Sequence, residues 1–67
     1  MSADDKFDEV YEFVVRFISE RGYAPTIRQV QEGVGYASAS SAHNAIWALI
    51  GEGRLFGSPG RSLRLSP

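Results

Sequence analysis

Between Ser38 and Asn44 the chain sets several short hydrogen-bonding side chains almost next to one another: Ser38, Ser40, Ser41, His43 and Asn44. Serine beside histidine first suggests nucleophilic catalysis. A nucleophile and its base need converging geometry plus a third group that orients the base, and no carboxylate lies near His43 in sequence. His43 is the one histidine of a chain without cysteine, so no ligand pair offers itself to a metal ion. The glycine-containing stretch Gly57-Ser58-Pro59-Gly60 lacks the lysine and the strand-to-helix setting of a phosphate-cradling loop. No enzymatic activity and no cofactor are expected.

What these residue types share is the capacity to donate and accept over a short reach. Asparagine can pair with adenine through two hydrogen bonds, and serine and histidine can contact either base type. A serine-rich helix start could be good capping and nothing more. That accounts for Ser38, but not for Ser40, Ser41, His43 and Asn44 together. The cluster points to reading of base edges in the DNA major groove.

Such a cluster needs a helix to carry it and other helices to aim it. Ala42, Ile46 and Leu49 recur at the spacing of one helical face, with Ala45 and Ile50 flanking them. If that face points inward, Ser40, Ser41, His43, Asn44 and Trp47 lie mostly outward. Ser38 is suited to cap this recognition helix, expected at about 39–52, and Gly53 to stop it. Upstream, Phe7, Val10, Tyr11, Val14, Phe17 and Ile18 form the apolar face of a first helix at about 5–21. The acids Asp4, Asp5, Asp8 and Glu9 fall in its first turns, where negative charge suits the helix dipole. Thr26 and Gln29 spell a capping box for a second helix at about 27–34, which buries Ile27, Val30 and Val34 and stops at Gly35. Two extended segments around the Gly57–Gly60 turn read as a hairpin at about 55–65. The expected fold is mainly α with a small β-hairpin: a three-helix winged helix-turn-helix forming a single domain over residues 1–67.

The bulk properties fit this size. The chain has 67 residues and is 43% hydrophobic, enough for one small core held by packing alone. No apolar run approaches the roughly 18 residues of a membrane span, and no signal-peptide pattern opens the chain, so a cytoplasmic protein without membrane contact is expected. The net charge of −1 would not by itself suggest a nucleic-acid partner. Its distribution does. In residues 1–20 six acids (Asp4, Asp5, Asp8, Glu9, Glu12, Glu20) face Lys6 and Arg16, a net −4. In residues 21–67 five arginines (Arg21, Arg28, Arg54, Arg61, Arg64) face Glu32 and Glu52, a net +3. Any DNA-facing surface is expected after residue 20.

The stretch Arg21–Leu49, RGYAPTIRQVQEGVGYASASSAHNAIWAL, resembles the DNA-binding domain of LexA repressors, especially those of Gram-positive bacteria and actinobacteria. The matching features are Gly22-Tyr23, Pro25-Thr26, Ile27-Arg28, Gly33-Val34-Gly35 and the serine run Ser38–Ser41. Leu49, Glu52-Gly53 and the segment after Leu55 continue the pattern. The resemblance implies base- or phosphate-reading roles for Ser38, Ser40, Ser41, His43 and Asn44. It also implies that Arg28 braces the second helix on the phosphate backbone, and that Arg54, Arg61 and Arg64 of the wing lie near the minor groove. Arginine is the favoured phosphate partner, and such contacts position a module without reading sequence.

The pattern is departed from in three ways. The protease and dimerisation domain of LexA, with its serine-lysine dyad, has no counterpart in these residues, so self-cleavage is not expected of this chain. Trp47 stands where the family usually carries a lysine that meets phosphate, and Ala48 and Ile50 replace polar positions. Basic residues are few, so tight binding would need two copies on adjacent half-sites, a homodimer on DNA. The expected function is sequence-specific binding of double-stranded DNA by a repressor-like transcriptional regulator. The rival is a winged-helix interaction module that engages a repressor or RNA polymerase through Trp47 and the acidic first helix. An exposed Trp47 beside a neutral recognition helix would favour the rival.

Overall fold

The computed structural model describes residues 3–59 and 63–66. Three helices follow one another: α1 (Ala3–Arg21), α2 (Ile27–Val34) and α3 (Ala39–Gly51). Each packs against the other two. The first begins two residues before the expected start, and the third ends one residue before the expected stop.

Local chemistry fixes the ends of α2 and the start of α3. The Thr26 hydroxyl accepts from the Gln29 amide at 3.1 Å, while the Thr26 N–H donates to Gln29 Oε1 at 2.8 Å. This reciprocal pair satisfies two amides that a helix start leaves unbonded, a device worth about 1 kcal/mol. At the other end Gly35 adopts φ 91°, a left-handed conformation open to glycine without steric cost. Its N–H and that of Tyr36 both return to the Gln31 carbonyl, at 2.9 and 3.0 Å. After only Tyr36 and Ala37, Ser38 caps α3 by accepting the Ser41 N–H at 3.3 Å.

The core lies where the three helices meet. Val10 and Val14 from α1, Val30 from α2, and Ala42, Ala45, Ile46 and Leu49 from α3 are buried, and Leu55 and Leu63 close it from the C-terminal segment. Ala45, expected at the flank of the α3 stripe, is inside it. Ile27 and Val34, expected inside α2, are only partly buried against this cluster. On α1 the aromatic side chains continue the packing outward: Phe13 and Phe17 lie 6.0 Å apart, and Tyr23 meets Phe17 edge-on at 5.6 Å.

Gly33 sets how closely α2 can approach α1. A Cβ built there would overlap Phe13 Cε2, with Cζ and Cδ2 at 2.6 and 2.8 Å. Alanine is the better helix former by about 1 kcal/mol. Overpacking a closed contact costs about 1–3 kcal/mol, so Gly33→Ala is expected to destabilise by about 1 kcal/mol net. In a Phe13→Ala background the obstructing ring is gone, and the same substitution should become stabilising. Thermal unfolding of the four proteins checks this; a Gly33→Ala effect of equal sign in both backgrounds would remove the steric explanation.

The expected hairpin is reduced. Among the described residues it consists of one isolated antiparallel bridge, in which the Phe56 and Arg64 amides each donate to the other's carbonyl at 2.8 Å. Leu55, expected to open a strand, instead directs its N–H to Leu49 O at 3.3 Å, as Arg54 does at 2.9 Å. The first arm is thus spent on ending α3. The last residue of the expected turn, Gly60, and the start of the second arm, through residue 62, lie outside the described residues.

Candidate nucleic-acid interface

Burial of Ala42, Ala45, Ile46 and Leu49 turns the opposite face of α3 to solvent. Ser40, His43, Asn44 and Trp47 are all exposed. Among them, Ser40, His43 and Asn44 line a shallow recess together with Ala39 and Ile27. Ile27 was not among the residues expected at this surface. Its signal was present: it is the first residue of α2, and a helix-turn-helix brings the start of α2 beside the start of α3. An apolar wall next to donors and acceptors suits a base edge, where a thymine methyl lies close to hydrogen-bonding groups.

The serines divide into two kinds. Ser38 and Ser41 are engaged with each other, their hydroxyl oxygens 3.2 Å apart and the Ser41 amide on Ser38 Oγ. Ser41 is also half-buried. Ser40 has no such tie among the described residues and faces outward. The exposed polar set that the geometry brings together is therefore Ser40, His43 and Asn44, with Ser38 and Ser41 building the turn that presents them.

His43 and Trp47 form a pair one helical turn apart. Trp47 is 46% exposed, and its indole N–H donates to His43 Nε2 at 3.2 Å. The rings meet edge to face, centroids 6.2 Å apart. No charged residue occurs anywhere in α3.

The arginines are placed unequally. Arg28 on α2 is exposed, and among the described residues its ionic partner is Glu32, one turn on, at 3.5 Å. An exposed pair of this kind contributes a few tenths of a kcal/mol and releases easily. Arg64 is exposed at the isolated bridge. Arg54, expected with the wing set, is turned toward α1. Its Nη1 lies 2.8 Å from Asp8 Oδ1, and its guanidinium stacks 4.6 Å from the Tyr11 ring centre. Asp8 thereby has a second role beyond the helix dipole, holding the exit of α3 onto α1. Arg61 lies outside the described residues.

A further contact steadies the turn before α3. Lys6 donates to the Val34 carbonyl at 3.2 Å and lies over the Tyr36 ring at 5.2 Å. The Tyr36 hydroxyl is buried without a hydrogen-bond partner among the described residues. Burial, and secondarily the negative charge of Glu9, push its ionisation above the usual phenol range. The neutral phenol is thus the folded form, and its ionisation at strongly alkaline pH opposes folding.

No helix among the described residues is long and apolar enough to cross a membrane. They hold no group of three or more metal-ligating side chains.

Comparison with known proteins places this chain in a family. A family model described as the LexA DNA binding domain matches residues 5–63. The LexA repressor of Clostridium novyi (strain NT) is 42% identical over 52 residues, covering 78% of this chain and 26% of that protein. The LexA repressor of Listeria welshimeri is 36% identical over 53 residues, 79% of this chain and 26% of its own length. A Clostridium botulinum LexA repressor is 43% identical over 49 residues, 73% of this chain and 24% of its own. The chain spans about a quarter of the length of these curated relatives.

Proposed function

The chain belongs to the LexA DNA-binding domain family, and we propose that it binds double-stranded DNA by sequence, as a transcriptional regulator of the repressor type, with α3 in the major groove. The observation that carries this reading is the polar outer face of α3, where Ser40, His43 and Asn44 stand exposed on a helix whose rotation is locked by four buried residues. A helix of this width fits the major groove, and its early turns come nearest the base edges. Asn44 pairs with adenine, while Ser40 and His43 contact neighbouring bases. Ser38 and Ser41 lie at the phosphate side of the same turn. Arg28 meets the phosphate backbone from α2. Arg64, exposed at the Phe56–Arg64 bridge, reaches toward the minor groove from the wing, and the same role is proposed for Arg61, which lies outside the described residues. Arg54 contributes by fixing where that wing starts.

A single module of this kind covers about 600–1,000 Å² of protein surface on DNA. Two copies on adjacent half-sites would raise the affinity through effective concentration, without new base contacts.

Selection of bound duplexes from a random pool tests the reading: a defined sequence should be enriched. Arg28→Ala is expected to weaken binding to all duplexes alike and to shallow the dependence of log affinity on log salt by about one unit. Titrations at several salt concentrations, on the selected duplex and on an unrelated one, check this. A loss confined to the selected duplex, with an unchanged slope, would assign Arg28 to base reading instead.

One observation favours a second reading. Trp47 is exposed beside an uncharged helix face, and exposed tryptophan is common among residues that anchor protein partners. A random pool that yields no enriched sequence would turn the assignment to a module that engages a repressor or RNA polymerase through Trp47 and α1.

A further inference from the structure

The His43–Trp47 contact has a consequence for which base is read. Indole nitrogen can only donate, so the His43 Nε2 that receives its hydrogen at 3.2 Å must be unprotonated. A neutral imidazole with a bare Nε2 carries its proton on Nδ1. This is the less populated tautomer of free histidine in water. Nδ1–H is then the ring's one donor, and it has no partner among the described residues. The arrangement is set by helix geometry, since residues four apart face each other on α3, and by the edge-to-face ring contact that accompanies the hydrogen bond. In solvent the bond competes with water and contributes little. Once DNA covers the face and water is excluded, it strengthens.

We infer that Trp47 is a specificity-determining positioning residue: it holds His43 as an Nδ1–H donor, so that His43 selects an acceptor-bearing base edge in the major groove, guanine above all. Guanine presents N7 and O6, two acceptors side by side, whereas cytosine presents an amino donor that Nδ1–H opposes. Trp47 thus has a function on this surface that requires neither a protein partner nor contact with phosphate. The inference rests on the reading of α3 as the DNA-recognition helix.

The test uses Trp47→Phe, which keeps an aromatic ring at this half-exposed position and removes the N–H donor. Long-range proton–nitrogen NMR correlations of labelled histidine, at a pH where imidazole is neutral, identify the tautomer. Wild type bound to its selected duplex, where water is excluded, should show Nδ1–H, and the variant a shift toward Nε2–H. Random-pool selection supplies the second readout. Wild type should enrich guanine at one position, and Trp47→Phe should flatten that preference by about five- to tenfold, the worth of roughly one hydrogen bond. Preference at the adenine position assigned to Asn44 should persist. His43→Ala should flatten the same guanine position, and adding Trp47→Phe to it should change nothing more. A variant that keeps the wild-type tautomer and guanine preference would overturn the inference while leaving DNA reading intact. An equal loss at every position, or additive losses in the double variant, would overturn it too. If wild type enriches no sequence at all, the underlying reading fails and the inference with it.

Discussion

Ile46→Ala is expected to lower the free energy of unfolding by about 2–5 kcal/mol, the range for truncating a fully buried aliphatic side chain. Ile46 has no exposed surface, and it belongs to the cluster in which Val10 and Val14, Val30, Leu49 and Leu55 also meet. It is thus positioned where all three helices and the C-terminal segment converge. A domain this small has little to spare: at about 0.05–0.15 kcal/mol per residue its whole stability is on the order of 3–10 kcal/mol. The substitution should therefore remove a large share of it, about half at the middle of both ranges. Urea unfolding followed by helical circular dichroism gives the number, with an unchanged m value showing that stability, not compactness, has moved. A loss below about 1 kcal/mol would mean that the space around Ile46 collapses freely and that α3 is not the centre of the core.

Asn44→Ala is expected to have the opposite profile. The side chain is exposed, and alanine is the better helix former, so folding should be unaffected or slightly improved. Binding should lose about 1–3 kcal/mol on the preferred duplex, up to roughly a hundredfold, because a bidentate contact to adenine disappears. The loss should fall to near zero on a duplex already altered at that base pair. Titration against duplexes varied one position at a time separates the cases. Ser41→Ala should cost less than Asn44→Ala, since its hydroxyl is already shared with Ser38. If both variants retain wild-type affinity and preference, α3 does not read the bases.

The features legible in the sequence were those governed by chemistry within about four residues. The Thr26–Gln29 box, the Ser38 cap and the inward line through Ala42, Ile46 and Leu49 follow from helical spacing, and the structure contains all three. Contacts across the chain were not legible in the same way. The type and position of Arg54 placed it with the wing set, and nothing local showed that Asp8, 46 residues away in sequence, pairs with its guanidinium on α1. Nothing local reveals that Gly33 sits against the Phe13 ring, because that distance is a property of how two helices cross. The hairpin failed for a related reason. Turn composition at Gly57–Gly60 marks where the chain bends, not how many residues pair, and Leu55 was already committed to Leu49. In the interface, outward-facing side chains could be named from the α3 stripe. That Ser41 is tied to its own turn, and that Trp47 bonds to His43, depends on side-chain rotamers that spacing leaves open.

The carbonyl of Leu49 accepts from the amides of both Arg54 and Leu55, and the Leu49 and Leu55 side chains are fully buried. The exit of α3 is therefore anchored to the centre of the molecule. Beyond it, among the described residues, the C-terminal segment is paired by a single bridge. In hydrogen-exchange terms the two sides belong to different opening units: the Arg54 and Leu55 protons are released only with the core, while those of Phe56 and Arg64 need just one local rupture. A segment attached in this way can shift at small cost, and the strain stops at Leu55 before it can rotate the helix that carries Asn44.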